Sequence, residues 1–118
     1  VVTDATSALP WLAAADVVVS AAVEEPFGRT IVEALALGRP VVAVQAAGPS
    51  EILAGCQAAT LTGPTPADLA AGILQWREPS RRAAAARAAR AWAGRYDQSR
   101  MADAVCALYW DVAGGPAR

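Results

Sequence analysis

Two glutamates eight positions apart, Glu25 and Glu33, enclose Pro26-Phe27-Gly28 and open a short apolar helix pattern. Carboxylates accept hydrogen bonds from hydroxyls. Between them, Pro26 and Gly28 mark a loop-to-helix junction. The first turn of a helix leaves free N–H groups and a partial positive charge, which suits an anion such as phosphate. Glu25 falls in the loop just before that turn, and Glu33 lies about 7 Å further along the axis. Donors for phosphate flanked by acceptors for hydroxyls match the chemistry of a nucleotide sugar.

The elements that must position these groups are legible on either side. Asp16-Val17-Val18-Val19 and Pro40-Val41-Val42-Ala43-Val44 are Val-rich runs without polar alternation. Such runs suit central strands of a parallel sheet, covered on both faces. With the segment between them they predict one βαβ unit. Its helix runs from about Gly28 to Leu37. At ~100° per residue, Ile31, Val32, Ala34 and Leu35 share a broad apolar side, while Arg29, Thr30 and Glu33 share the other. Gly38 and Pro40 mark the exit.

At these residues the chain resembles the retaining GT-B glycosyltransferases. Glu25, seven residues and Glu33, with Pro26-Phe27-Gly28 inside, resemble the E-x7-E motif of that group. Glu33-Ala34-Leu35-Ala36-Leu37-Gly38-Arg39-Pro40-Val41-Val42-Ala43 resembles the helix-to-strand continuation. Ala47-Gly48-Pro49-Ser50-Glu51-Ile52 resembles a Gly-Gly-x-x-Glu-Ile/Val loop, with Ala47 where the family has a second Gly. Ala15-Asp16-Val17-Val18-Val19-Ser20 resembles the preceding strand. The likeness covers residues 11–76 well and the remainder loosely. Either glutamate alone would read as an ordinary solvated charge. The ordered combination carries the resemblance.

The resemblance implies roles. Glu25 would contact the transferred sugar, as the catalytic position, and Glu33 would hold the ribose hydroxyls. Phe27, Gly28, Arg29, Thr30 and Ile31 would contact sugar and phosphate, largely through backbone amides. Gly48 would let backbone approach the ligand, with a tight turn as the alternative. The implied fold is α/β: a Rossmann-like parallel sheet with helices on both faces, the C-terminal half of a GT-B fold, ending in a helical run. No cofactor and no metal are implied, because helix amides and basic groups handle the leaving diphosphate. The implied partners are a nucleotide-sugar donor, an N-terminal acceptor domain, and a glycan, lipid or small-molecule acceptor.

Composition bounds the rest. The chain has 118 residues, 55% of them hydrophobic, enough for one domain with a core. We expect residues 1–113 to form a partial nucleotide-sugar-binding domain and residues 114–118 a flexible tail. The resemblance implies an acceptor domain outside this chain, so the chain is expected to be part of a longer enzyme, inactive alone; the rival reading is a non-catalytic module that holds a nucleotide or partner. A net charge of −1 gives no case for nucleic acid. No 18-residue apolar stretch occurs, so no membrane span is expected. The expected location is the cytoplasm, with peripheral contact at the inner membrane face as a variant. There is no histidine and no lysine, which excludes a Ser-His-Asp triad, His-ligated zinc and a P-loop lysine within this chain. Cys56 and Cys106 read as two free thiols, with a disulfide between them the alternative.

Further along, Val1-Val2 reads as a strand remnant. Thr6 or Ser7 caps a short helix through Ala14. Ser20 closes the loop-side end of its strand, an ordinary turn residue that could also offer a hydroxyl. A short helix starts at Pro49 or Ser50 and ends near Gly55. Ala58 to Thr62 predicts a last strand. Thr65-Pro66-Ala67-Asp68 is a strong helix start, followed by a Leu69, Ile73, Trp76 stripe. A helix over Pro79 to about Arg95 and another from Asp97 through Val112 complete the pattern. Met101, Val105, Leu108 and Val112 recur there at helical spacing and read as packing residues. The resemblance further implies that Tyr109 and Trp110 meet the other domain. The arginines from Arg77 to Arg100 read as solvated charges on an Ala-rich helix, with an anionic membrane surface as the sharper alternative.

Overall fold

Val41–Val44 forms strand β2, and all four residues are buried. Val41 and Ala43 sit in one core cluster with Ile31, Leu35 and Ile52. Val42 faces the other way, against Gly72 and its neighbourhood. An unbroken apolar strand requires this double cover. β1 (Val18–Ser20) and β3 (Ala59–Thr62) pair with β2 on either side, both parallel, in the order β1-β2-β3. Val41 lies opposite Val18 on one side and Ala59 on the other.

The computed structural model describes residues 7–114. The expectations for Val1, Val2, Thr6 and the tail after Gly114 lie outside the described residues. Within them the expected α/β class is present: a Rossmann-like parallel sheet, helices on both faces, and a helical C-terminal run.

Helix α1 (Leu9–Ala14) begins after Ser7, whose Oγ accepts a hydrogen bond from the Leu9 N–H at 3.3 Å. Helix α2 (Arg29–Ala36) is the helix of the first βαβ unit. Ile31, Ala34 and Leu35 are buried and Arg29 and Thr30 exposed, as the wheel requires. β1 departs from expectation. It starts at Val18, since Asp16 and Val17 bend away, and Val19 is 43% exposed. As an outer strand among the described residues, β1 has one uncovered position where β2 has none.

Helix α3 (Ala47–Leu53) starts two residues before the expected Pro49. Helix α4 (Pro66–Leu74) has the expected start. Thr65 Oγ1 accepts from the Asp68 N–H and Asp68 Oδ2 accepts from the Thr65 N–H, a capping box. Its buried stripe differs from the expected one. Ile73 is 39% exposed, and Gly72 is the buried residue instead. A Cβ at Gly72 would stand 2.6 Å from Thr62 Cγ2 and 2.8 Å from Val42 Cγ1. The helix backbone itself thus lies against the sheet, and a large side chain has no room on that line. Trp76, 2% exposed, closes the stripe and donates from Nε1 to Thr60 Oγ1 at 3.0 Å.

Helix α5 (Pro79–Ala93) packs along α2 with Ala89 and Ala93 buried, then tightens into a 3₁₀ turn, Gly94–Tyr96. Several arginines expected to be solvated are engaged. The Arg82 guanidinium donates to the Trp76 and Arg77 carbonyls at 2.8 and 2.6 Å and pairs with Asp16 at 3.2 Å. It therefore satisfies carbonyls left open where α4 ends. Arg81 lies over Trp76, and Arg95 over Trp92 at 3.7 Å from the ring centroid.

Helix α6 (Gln98–Val112) starts at Asp97, whose Oδ1 accepts from the Ser99 N–H at 2.9 Å. Met101, Val105, Leu108 and Val112 were expected to pack, yet all are exposed, as are Tyr109 and Trp110. The helix meets only the 3₁₀ turn to any extent, so its apolar side has no cover within the described residues. Both cysteines are free, Cys56 buried and Cys106 exposed. Among the described residues, no helix is long and apolar enough to cross a membrane.

Candidate functional site

The loops that follow β1 and β2 leave the sheet at the carboxyl ends of its strands, where open α/β sheets hold ligands. The first loop carries Glu25, Phe27 and Gly28, and the second leads into Gly48. Gly28 is the N-cap of α2 and adopts φ 104°, ψ 56°, a left-handed conformation that disfavours any side chain. A Cβ there would also stand 2.9 Å from Ile31 Cδ1. Among the described residues, no side chain caps this helix. The Gly28 carbonyl accepts from the N–H groups of Ile31 at 3.0 Å and Val32 at 3.3 Å. Ile31 is buried and its amide occupied. Arg29 and Thr30 are exposed, and their amides have no such acceptor among the described residues.

The two glutamates are held differently. Glu25 is half-buried, and its Oε1 accepts from the Phe27 N–H at 3.3 Å. Its main-chain carbonyl accepts from the Gly48 N–H at 3.0 Å. Glu33 lies one turn into α2 with its side chain 33% exposed, 3.7 Å from the guanidinium of Arg29, which is 86% exposed. An exposed pair of this kind contributes about 0.3–0.5 kcal/mol, too little to hold the Glu33 carboxylate against a better partner.

Gly48 is neither in a tight loop turn nor at an open surface. It is buried in the first turn of α3. A Cβ at this position would meet Phe27 O at 2.5 Å and Glu25 O at 2.7 Å. Only a glycine lets the two loops lie backbone to backbone. Its observed part is therefore to seat the Glu25–Phe27 loop.

Sequence reasoning missed one support of that loop. Phe27, 46% exposed, meets Tyr96 edge to face, ring centroids 6.0 Å apart at 72°. Tyr96 in turn donates to the Ile52 carbonyl at 3.4 Å, which also accepts from Trp92 Nε1 at 2.8 Å. No spacing rule joins positions 27 and 96. The available signal was two aromatic residues, Trp92 and Tyr96, at the end of an otherwise Ala-rich helix.

The profile of the family described as glycosyl transferases group 1 matches residues 1–78 of the 118. The chain belongs to this family. Among solved structures, a sucrose-phosphate synthase from Thermosynechococcus elongatus superposes with a TM-score of 0.80 at 25% identity, over 88% of this chain and 27% of that one. The group 1 glycosyl transferase chain described here thus spans about a quarter of that protein's length, and its α/β fold matches the GT-B Rossmann-like fold. No curated protein matches the sequence.

Proposed function

We propose that this chain is the donor-binding part of a retaining, nucleotide-sugar-dependent glycosyltransferase. The observation that carries the reading is the open amino end of α2, with free Arg29 and Thr30 amides behind left-handed Gly28, flanked by Glu25 and Glu33. Family membership supports it. So does the structural neighbour, whose name is that of an enzyme making a sugar phosphate.

In this reading the Arg29 and Thr30 amides and the helix dipole hold the donor diphosphate. Glu33 turns from its weak pair with Arg29 to accept two ribose hydroxyl bonds. Glu25 faces the hexose. As the diphosphate leaves, positive charge develops at the sugar carbon, and a fixed carboxylate stabilises that charge more in the transition state than in the ground state. Phe27 and Gly48 hold the loop that presents Glu25. The diphosphate is balanced by amides and basic groups, without a metal or cofactor. The acceptor, a glycan, lipid or small molecule, would be oriented by a second domain, so residues 1–118 alone would bind donor without transferring it.

The test is a panel of nucleotide sugars titrated calorimetrically into residues 1–118, with the anomeric configuration of the glycoside formed by the intact enzyme read by NMR. Saturable donor binding and a retained anomeric configuration are expected. Absence of binding to every nucleotide sugar, or an inverted product, would overturn the reading.

A further inference from the structure

A cavity lies at the end of the sheet opposite the donor site. Its volume is about 270 Å³, and it lies between the turn that joins α2 to β2 and the face of α5 from Pro79 to Arg90. Gly38, Arg39 and Pro40 precede β2, and Asp16 precedes β1, so the cavity opens at the amino ends of the strands. The Glu25 loop follows their carboxyl ends. The donor site and this cavity do not share a lining residue.

Three guanidinium groups line it: Arg39, Arg82 and Arg90. Asp16 is the one carboxylate among the lining residues, and it pairs with Arg82. Arg82 also spends its donors on two carbonyls. That leaves the charges of Arg39 and Arg90 without a counterion in the lining. Arg39 Nε is buried and has no acceptor among the described residues. An unpaired buried donor on a charged group is costly, and two like charges beside one cavity add repulsion. Arg90 has one long contact, from Nη1 to the Ala86 carbonyl at 3.5 Å. Its guanidinium lies over Gly38, with Cζ 2.7 Å from where a Cβ would stand, and Gly38 has φ 74°. Glycine at 38 is what admits that planar group to the cavity wall. Pro79, the first residue of the 15-residue helix α5, is also in the lining and adds the positive end of a helix dipole.

We propose that this cavity binds a phosphate-class oxyanion, inorganic phosphate or a phosphomonoester, between Arg39 and Arg90 with Arg82 as the fixed wall. A dianion balances the two uncompensated charges. Its oxygens accept forked guanidinium donors in a way that a single carboxylate, with two oxygens, cannot fill. The volume exceeds that of a bare phosphate ion, which leaves room for an attached organic group. The same chemistry is carried by the headgroup of an anionic lipid.

The experiment titrates inorganic phosphate into the protein by calorimetry, in sulfate-free buffer at constant ionic strength set with chloride. Saturable binding is expected, weakened about tenfold or more by Arg39→Gln and by Arg90→Gln, with nucleoside diphosphate affinity unchanged in both. A parallel arm sediments the protein with phosphatidylcholine vesicles, with and without phosphatidic acid. Phosphatidic-acid-dependent sedimentation lost in the same variants, without saturable phosphate binding, would assign the oxyanion to a lipid headgroup. Neither phosphate saturation nor phosphatidic-acid-dependent sedimentation in the unaltered protein would overturn the proposal. So would binding that both variants retain in full. Arg90 is exposed, so Arg90→Gln leaves the core intact; if Arg39→Gln fails to fold, undiminished binding by Arg90→Gln alone overturns the proposal.

Discussion

Tyr96 and Phe27 stand 69 positions apart and meet edge to face, ring centroids 6.0 Å from each other. Tyr96 belongs to the 3₁₀ turn after α5, Phe27 to the loop that presents Glu25. An edge-to-face pair contributes about 0.5–1.5 kcal/mol beyond the area it buries. Tyr96→Ala should loosen the loop and, in the intact enzyme, lower sugar transfer, while Tyr96→Phe keeps the ring and should stay near the unaltered protein. A double-mutant cycle with Phe27→Ala on stability checks this. A coupling energy of zero would mean that the two rings are neighbours without consequence.

Glu33→Ala removes hydrogen bonds from ribose hydroxyls to a charged group, worth roughly 1.5–3 kcal/mol. Nucleoside diphosphate affinity should fall about 10- to 150-fold. The lost pair with Arg29 is too weak to confuse the reading. Calorimetry with unchanged affinity would remove Glu33 from the donor site.

Glu25→Gln should fail in another way. The amide oxygen can still accept from the Phe27 N–H, so the loop keeps its shape. The negative charge is gone, and with it the stabilisation of charge developing at the sugar carbon. In the intact enzyme, transfer should drop strongly while nucleoside diphosphate affinity stays nearly intact. A collapse of that affinity would show that Glu25 serves the nucleotide and not the sugar.

Gly48→Ala places a methyl group 2.5 Å from one backbone carbonyl and 2.7 Å from another. Backbone cannot rotate aside as a side chain does. The substitution should cost about 1–3 kcal/mol of stability and should also displace the Glu25 loop, lowering transfer. Urea unfolding of this chain and a transfer-rate measurement on the intact enzyme check both. Full activity in a stable variant would show that the loop can move away without loss.

The two thiols should react at very different rates. Cys106 is exposed on α6. Cys56 is buried, and burial pushes its thiol pKa up; the bond from the Ala58 backbone and the charge of Arg95 offset this only in part. A disulfide reagent near pH 8 should consume one equivalent of thiol quickly and the second roughly tenfold or more slowly. Two equally fast thiols would place Cys56 at the surface in solution.

What was legible in the sequence is what depends on neighbours in the chain. The α2 pattern, the Val41–Val44 strand, the Thr65 capping box and the Asp97 cap are local, and each is present. The proposed roles of Glu25 and Glu33 rest on a motif, but the open helix end between them follows from Gly28 and its conformation. What was not legible depends on distant backbone. Gly48 is shaped by the carbonyls of Glu25 and Phe27. Gly72 displaces Ile73 from the buried stripe because the sheet runs close beneath it. Arg82 is engaged because α4 ends beside it and Asp16 lies within reach. No helical wheel of residues 79–93 contains that information.

The register of the sheet also governs the order in which it can assemble. Val18 pairs with Val41, and Val41 with Ala59. Each pairing closes a loop of about twenty residues, and among the described residues no tight hairpin seeds either one. Such parallel contacts give a slow nucleus, because chain closure precedes any reward from pairing. A ribosome-bound chain must have released β2 before β1 can form its ladder with it. Once formed, β2 sits between two ladders, and its amides should be the last to exchange with heavy water, while those of α6 exchange first.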